Sequence, residues 1–167
     1  DVFLRQPRNR LWQELTWGEV GDQMRRIASA LRSMDLEPGS RVAVISKNCA
    51  EWIIADLAIM MSGHVSVPLY PQLSDDAIKY VISHSGAEVV FVGKLDNPYE
   101  IKAMIPSGIT RIGFPYKGSN CELNWQDLLN EHMPLVDNYY PHIGEVFTIA
   151  FTEANKDFVA ISVIANT

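Results

Sequence analysis

The chain has 167 residues, 47% hydrophobic and 20% charged, which is ordinary globular usage for one domain or one lobe and excludes disorder along its whole length. Fourteen Lys and Arg against twenty Asp and Glu give a net charge of −6, so general nucleic-acid affinity is excluded, though a local nucleotide site is not. Cys49 and Cys121 make neither a disulfide framework nor a paired metal-ligand spacing, in keeping with a reduced cytoplasmic protein.

Asp1 to Trp12 carries Arg5, Arg8 and Arg10 without an apolar run, so it does not read as a secretory signal. The first clear element starts at Thr16, where Thr16-Trp17-Gly18-Glu19 has the pattern of a capping box. Val20, Met24, Ile27, Ala28 and Leu31 follow at helical spacing on one face. Glu37 to Ser40 reads as a turn, and Arg41 to Ser46 as a short β-branched strand buried on both faces. A helix is expected from about Ala50 to Met61, stopped by Gly63. Its apolar core, Trp52 to Met61, is about half a membrane span and holds Asp56, so no crossing of a bilayer is expected.

The alternation continues with a strand at Val65 to Leu69 and a helix capped by Ser74, running to about His84 and ended by Gly86. Ala77, Ile78, Val81 and Ile82 are its inward face. Strands are expected at Glu88 to Val92, Thr110 to Phe114 and Phe147 to Phe151, with short helices at Pro98 to Met104 and Trp125 to Glu131. Ala154 to Ala165 reads as a helix despite its weak helix formers Val159, Ile161, Val163 and Ile164. Pro115 to Asn120 and Pro134 to Gly144 are loops, the second running over the surface. The expected fold is therefore α/β, a mostly parallel sheet with helices on both faces, and residues 1–167 read as one unit.

Spacing alone reveals no active site. His64, His84, His132 and His142 are scattered, and Asp75-Asp76 sits where the helix dipole favours negative charge. No GxSxG, GxxxxGK(S/T) or GxGxxG motif occurs. Glu51 and Trp52 at a helix start read as structural, and Lys156 as a solvated lysine. Tyr70 and Pro71 follow a strand's carboxyl end, where ligands of open α/β sheets sit.

Five phrases in order carry a resemblance: Leu15-Thr16-Trp17 with Glu19; Pro38-Gly39-Ser40-Arg41-Val42-Ala43; Asn48-Cys49-Ala50-Glu51-Trp52; Gly63 to Pro71 (GHVSVPLYP); and Ser83 to Val92 (SHSGAEVVFV). Together they resemble the amino-terminal lobe of the AMP-forming acyl-CoA synthetases of the adenylate-forming superfamily, with Tyr70-Pro71 and Phe91-Val92 leaning toward the long-chain fatty-acid branch. The resemblance runs from Leu15 to Val92, weakens from Gly93 to Gly144 and returns at Glu145 to Phe151. It implies a ligase that joins a fatty acid to ATP, releases pyrophosphate and passes the acyl group from AMP to coenzyme A, with Mg²⁺ as the metal. An aryl- or amino-acid-activating relative is the nearest rival within the superfamily. Peripheral contact with a membrane follows from the fatty-acid reading, and a dimer from a sheet edge left without its neighbour.

The family sets a loop of the form (Y/F)TSGTTGxPKG after the strand that Phe147 to Thr152 resembles. Phe151-Thr152 match its first two letters, but Glu153-Ala154-Asn155-Lys156 follow in place of Ser and Gly. Thr152 is the one residue carried over as a nucleotide-site residue, touching phosphate; the other reading is a strand-end threonine. A carboxylate at Glu153 is a poor substitute for a small residue that lets phosphate approach the backbone. The loop is then mobile and missing between Thr152 and Glu153, or deleted, or the chain is a degenerate relative acting as a non-catalytic binding module. An ordinary short strand-to-helix turn satisfies the spacing as well. No catalytic residue can be assigned, and this polypeptide is not expected to adenylate by itself.

Overall fold

The computed structural model describes residues 1–151 and, as backbone, 158–162. The element order is β1 (Val2–Arg8), β2 (Leu11–Thr16), α1 (Trp17–Arg32), β3 (Arg41–Ile45), α2 (Ala50–Met61), β4 (Val65–Leu69), α3 (Asp75–Ser85), β5 (Ala87–Val92), α4 (Pro98–Met104), β6 (Thr110–Gly113), β7 (Leu123–Asn124), α5 (Trp125–Glu131), β8 (Val146–Phe151) and β9 (Phe158–Ser162). Seven strands form one sheet in the order β7-β6-β5-β3-β4-β8-β9, parallel except for the antiparallel pair β8–β9.

Alternation along the strands divides the core in two. Val42, Val44, Val89 and Phe91 point to one face and pack under α1, α2 and α5. Ala43, Ile45, Val90 and Val92 point to the other, where α3 and α4 supply Ile78, Val81, Ile82 and Ile101. A strand stretch covered on both faces must be apolar at every position, which is why β3 from Val42 to Ile45 and β5 from Val89 to Val92 are unbroken apolar runs. On the first face Phe91, Phe114 and Trp125 meet with ring centroids 5.0–6.1 Å apart, largely edge to face.

The helix ends form as their residues dictate. Thr16 Oγ1 accepts from the Glu19 amide (3.2 Å) and the Glu19 carboxylate accepts from the Thr16 amide (2.7 Å), closing the capping box. The Ser74 hydroxyl accepts from the Ala77 amide (3.3 Å), and Gly86 ends α3 at φ 65°. The 134–144 segment does run over the surface, tied by Leu135 N–H to Arg25 O and Tyr139 N–H to Met61 O, both 3.1 Å.

Two expectations are corrected. The chain before Thr16 is a hairpin whose turn residues, Asn9 and Arg10, both take positive φ (50° and 66°). Only Gln6 and Leu15 of its strands are buried, so it shows no apolar alternation. The helix expected over 154–165 is not formed at 158–162, which is strand β9, with Phe158 paired to Phe151 and Ser162 to Val146. The β-branched Val159 and Ile161 favour a strand once the open edge of β8 is available to pair. The rest of that segment lies outside the described residues.

Candidate functional site

From β3 the chain passes through α2 to β4 on one side, then through α3 back across to β5 on the other. The connections leaving β3 and β5 thus lie on opposite faces, a switch point of the kind where open α/β sheets hold ligands. Here that crevice is filled by the chain itself. Gly93 N–H donates to Ile45 O and Lys47 N–H to Lys94 O, each 2.9 Å. Ser46 Oγ accepts from Lys94 N–H (2.9 Å) and donates to Lys47 O (2.7 Å). A Cβ on Gly93 would lie 2.3 Å from Ser46 Oγ, so no ligand atom fits between them.

The open part of the carboxyl end lies beyond β4. Leu69 is buried while Tyr70 is 69% exposed, and β8 runs alongside with Ser66 opposite Thr148. Phe151 ends β8 edge-on to Tyr80 and His84, at 6.4 and 6.2 Å between ring centroids, and those two rings stack at 5.0 Å. The aromatic contacts from α3 therefore fix where the chain leaves β8. Thr152, the expected phosphate contact, lies outside the described residues, as do Glu153 and Lys156.

The other residues singled out by sequence stay apart. His132 bridges helix ends: its Nε2 lies 3.2 Å from Ser33 Oγ, whose hydroxyl donates to Ala30 O, and its Nδ1 lies 3.2 Å from Leu128 O. This is a capping contact, since the serine proton is already committed. Cys49 and Cys121 are free, and burial pushes both thiols up, away from the nucleophilic thiolate. Among the described residues no three His, Cys, Asp or Glu side chains gather to hold a metal ion.

Sequence reasoning missed the role of Glu51. It is only 6% exposed; it accepts from the Arg8 guanidinium and, at 2.8 Å, from the Tyr116 hydroxyl, while Arg8 lies 5.3 Å from the Tyr116 ring centroid. Burial, and after it the Glu51 carboxylate, pushes the Tyr116 hydroxyl well above its ordinary range, so it stays a donor. Gln6 Oε1 accepts from Ala50 N–H (3.0 Å), supplying the cap that Cys49 at the N-cap does not. These partners are 43, 65 and 44 residues apart, a distance at which no local pattern operates. Beside them opens a cleft of about 520 Å³, with Arg5, Lys94, Trp12 and Trp52 in its lining. Of the two cations, Arg5 is already paired with Glu14 at 2.9 Å.

A family model described as AMP-binding enzyme matches residues 2–125. Long chain acyl-CoA synthetase 1 of Arabidopsis thaliana is 40% identical over 82 residues, 49% of this chain and 12% of that protein. The long-chain-fatty-acid–CoA ligase FadD15 of Mycobacterium tuberculosis is 36% identical over 81 residues, 48% of this chain and 14% of its own length. This chain thus spans only a small part of the curated relatives it matches. Among solved structures, a Brucella canis acyl-CoA synthetase superposes with a TM-score of 0.78 at 18% identity, covering 98% of this chain and 30% of that one. The anthranilate CoA ligase AuaEII in complex with anthranoyl-AMP gives a TM-score of 0.76 at 16% identity, over 90% and 30%. The family match spans most of the chain, and the TM-scores show that it shares the fold of these structures: the chain belongs to the AMP-binding enzyme family.

Proposed function

We propose that residues 1–167 are a partial amino-terminal lobe of an ATP-dependent, AMP-forming long-chain fatty-acid–CoA ligase. The observation that carries this reading is the 36–41% identity, over about half of the chain, to proteins named as long-chain acyl-CoA synthetases or ligases. In such a reaction the fatty carboxylate attacks the α-phosphorus of ATP and pyrophosphate leaves. The thiol of coenzyme A then takes the acyl group, with AMP departing. The part given to this lobe is positional: β8, held by β4 and the α3 aromatics, delivers Thr152 to the phosphates. The cleft lined by Arg5, Trp12, Trp52 and Lys94 lies at the same end of the sheet. With Glu153 where the family has a small residue, the 167-residue chain alone is inactive.

The aryl-acid alternative has fold likeness alone in its favour, at 16–20% identity to benzoate and anthranilate ligases. Membrane contact by the whole protein would be peripheral, through exposed apolar side chains such as Leu11 and Trp12 at the hairpin turn, 75% and 69% exposed. Among the described residues no helix is long and apolar enough to cross a membrane.

The test is ATP–pyrophosphate exchange and thioester formation by the complete protein with palmitate, benzoate and amino acids. Palmitate-dependent exchange followed by palmitoyl-CoA is the expected result. Exchange with benzoate or an amino acid alone would replace the substrate class. Absence of exchange with every acid, with no rise in melting temperature on adding ATP and Mg²⁺, would leave a non-catalytic binding module.

A further inference from the structure

The 134–145 segment crosses the amino ends of β4 and β8, opposite the Phe151 end, and walls a second cleft of about 470 Å³. Inward it gives Leu135 to the core and lays Tyr139 over Gly63, with its ring 3.4 Å from where a Cβ would be. At φ 86° Gly63 also needs the freedom that only glycine has. Two main-chain bonds tie the segment down, Leu135 N–H to Arg25 O and Tyr139 N–H to Met61 O. It is closed on itself by Glu145, whose carboxylate accepts from the Tyr139 hydroxyl and from His142 N–H (2.6 Å). Val136, Tyr140 and Ile143 add little to its hold, being 89, 77 and 69% exposed. A stretch with so little buried is among the first parts of a fold to open.

Next to Gly63 stands His64, only 5% exposed. Both ring nitrogens are closed to solvent and, among the described residues, neither has a hydrogen-bond partner. A buried polar group left bare calls for an explanation. The main chain around it is pinned: His64 N–H donates to Ile59 O, Gly39 N–H to Gly63 O and Val65 N–H to Ser40 O, at 3.0–3.1 Å. Arg32 approaches from α1, its Nε and one Nη reaching Ser62 O at 3.3 Å and Met61 O at 3.5 Å. Glu88 approaches from β5 and already accepts from Ser40 Oγ at 2.6 Å. Arg41 of β3, opposite Val65, is turned to Ser85 O at 2.9 Å. The segment itself brings Tyr139, His142 and Glu145, and the Tyr139 hydroxyl holds Glu145 below the usual carboxylate range. The 36–39 turn, α2 and β8 border the cleft with Leu36, Pro38, Met60 and Phe147, none of them charged.

We propose that the 134–145 segment is a pH-operated strap, released from Gly63 when His64 takes up a proton. The neutral ring suits the closed form, since a bare imidazole is tolerated there but a bare imidazolium beside Arg32 is far costlier. Turning the ring into the cleft does not relieve it, because Arg32 lines that cleft as well. Two routes remain, and each undoes the strap. Lifting Tyr139 lets water reach the ring; drawing Glu145 over to the imidazolium takes the carboxylate from the Tyr139 hydroxyl. Burial, and then Arg32, hold His64 below its usual range in the closed form. The open form therefore binds the proton more tightly, and its share grows as pH falls through the ordinary histidine value of about 6.5. From pH 7.5 to 5.5 that growth is about tenfold. The strap leads directly into β8, so its release also loosens the start of the strand that pairs with β4 at Thr148 and Ser66. The strap works this way whether or not the complete protein activates fatty acids, since no substrate takes part.

The test is hydrogen exchange of the full chain, read by NMR at pH 7.5 and 5.5 as protection factors, which remove the intrinsic pH dependence of the rates. Protection of the Leu135 and Tyr139 amides is expected to fall about tenfold at the lower pH, while that of Val44 in β3 holds. His64→Gln should abolish the fall. His132→Gln and His142→Gln should keep it, which separates His64 from the histidines before and within the strap. The His64 ring signals, assigned with those variants and with His84→Gln, should titrate in step with the loss of protection. Protection unchanged between the two pH values, or lost equally in His64→Gln, would overturn the proposal. So would an equal loss at Val44, which is global unfolding, and so would a ring that titrates while Tyr139 stays protected, which is rotation into the cleft. These last two readings use the native protein, so the outcome does not depend on a His64 variant folding.

Discussion

Replacing Glu51 by Gln tests whether the buried carboxylate holds the hairpin to the sheet domain. Glutamine keeps an acceptor for the Tyr116 hydroxyl but leaves the Arg8 guanidinium without its counter-charge. Breaking a fully buried ion pair costs about 3–5 kcal/mol. The Arg8 side chain is 34% exposed against 8% for Glu51, so solvent recovers part of that and the expected loss is about 2–3 kcal/mol. Arg8→Met removes the other partner and strands the carboxylate, at about 2–4 kcal/mol. The double variant leaves neither charge unpaired and should cost less than the sum, with a coupling of about 1–3 kcal/mol. Urea unfolding followed by tryptophan fluorescence reads all four species, since Trp52 adjoins the site and Trp125 sits in the core. A cost below about 0.5 kcal/mol for Glu51→Gln, or strict additivity in the cycle, would refute the anchor. Its hydroxyl partner sets a further limit: Tyr116 keeps its proton in the folded state, so stability should fall above about pH 10, where the unfolded tyrosine ionises and the folded one does not.

Three more outcomes follow from the same structure. Gly113→Ala places a Cβ 2.0 Å from the Ser119 carbonyl oxygen, a backbone atom that cannot rotate away; a loss of about 3 kcal/mol or more, or failure to fold, is expected in circular dichroism melts. Asp56 is pushed up by burial while accepting from Ser66 Oγ at 2.6 Å, so Asp56→Asn, which keeps an acceptor and sheds the charge, should leave the melting temperature unchanged or raise it. His64 is held below 6.5 in the folded state, so as pH falls below that value the unfolded chain binds a proton first and stability drops. Urea midpoints at pH 7.5 and 5.5 should therefore differ more in the wild type than in His64→Gln, and equal differences would contradict the bare-histidine account.

The elements most legible in the sequence are those whose cause is local. Thr16 and Glu19 make the α1 cap within one turn, and Ser74 and Gly86 bracket α3. The apolar runs Val42 to Ile45 and Val89 to Val92 announce a sheet covered on both sides. The phrases from Leu15 to Val92 carry the family for the same reason, since they are contiguous words. The tertiary structure decided what depends on distant partners. Phe158 to Ser162 is a strand because the edge of β8 lies beside it, whereas the sequence by itself read as a helix there. Arg8, Gln6, Glu51 and Tyr116 become one anchor because the hairpin folds back on α2. His64 follows a glycine in a sequence that says nothing of burial, and only the folded chain leaves its ring buried with both nitrogens unpartnered. Backbone propensity and capping act over a few residues and are written in the chain; desolvation and charge pairing act between surfaces, and those exist only after the chain has folded.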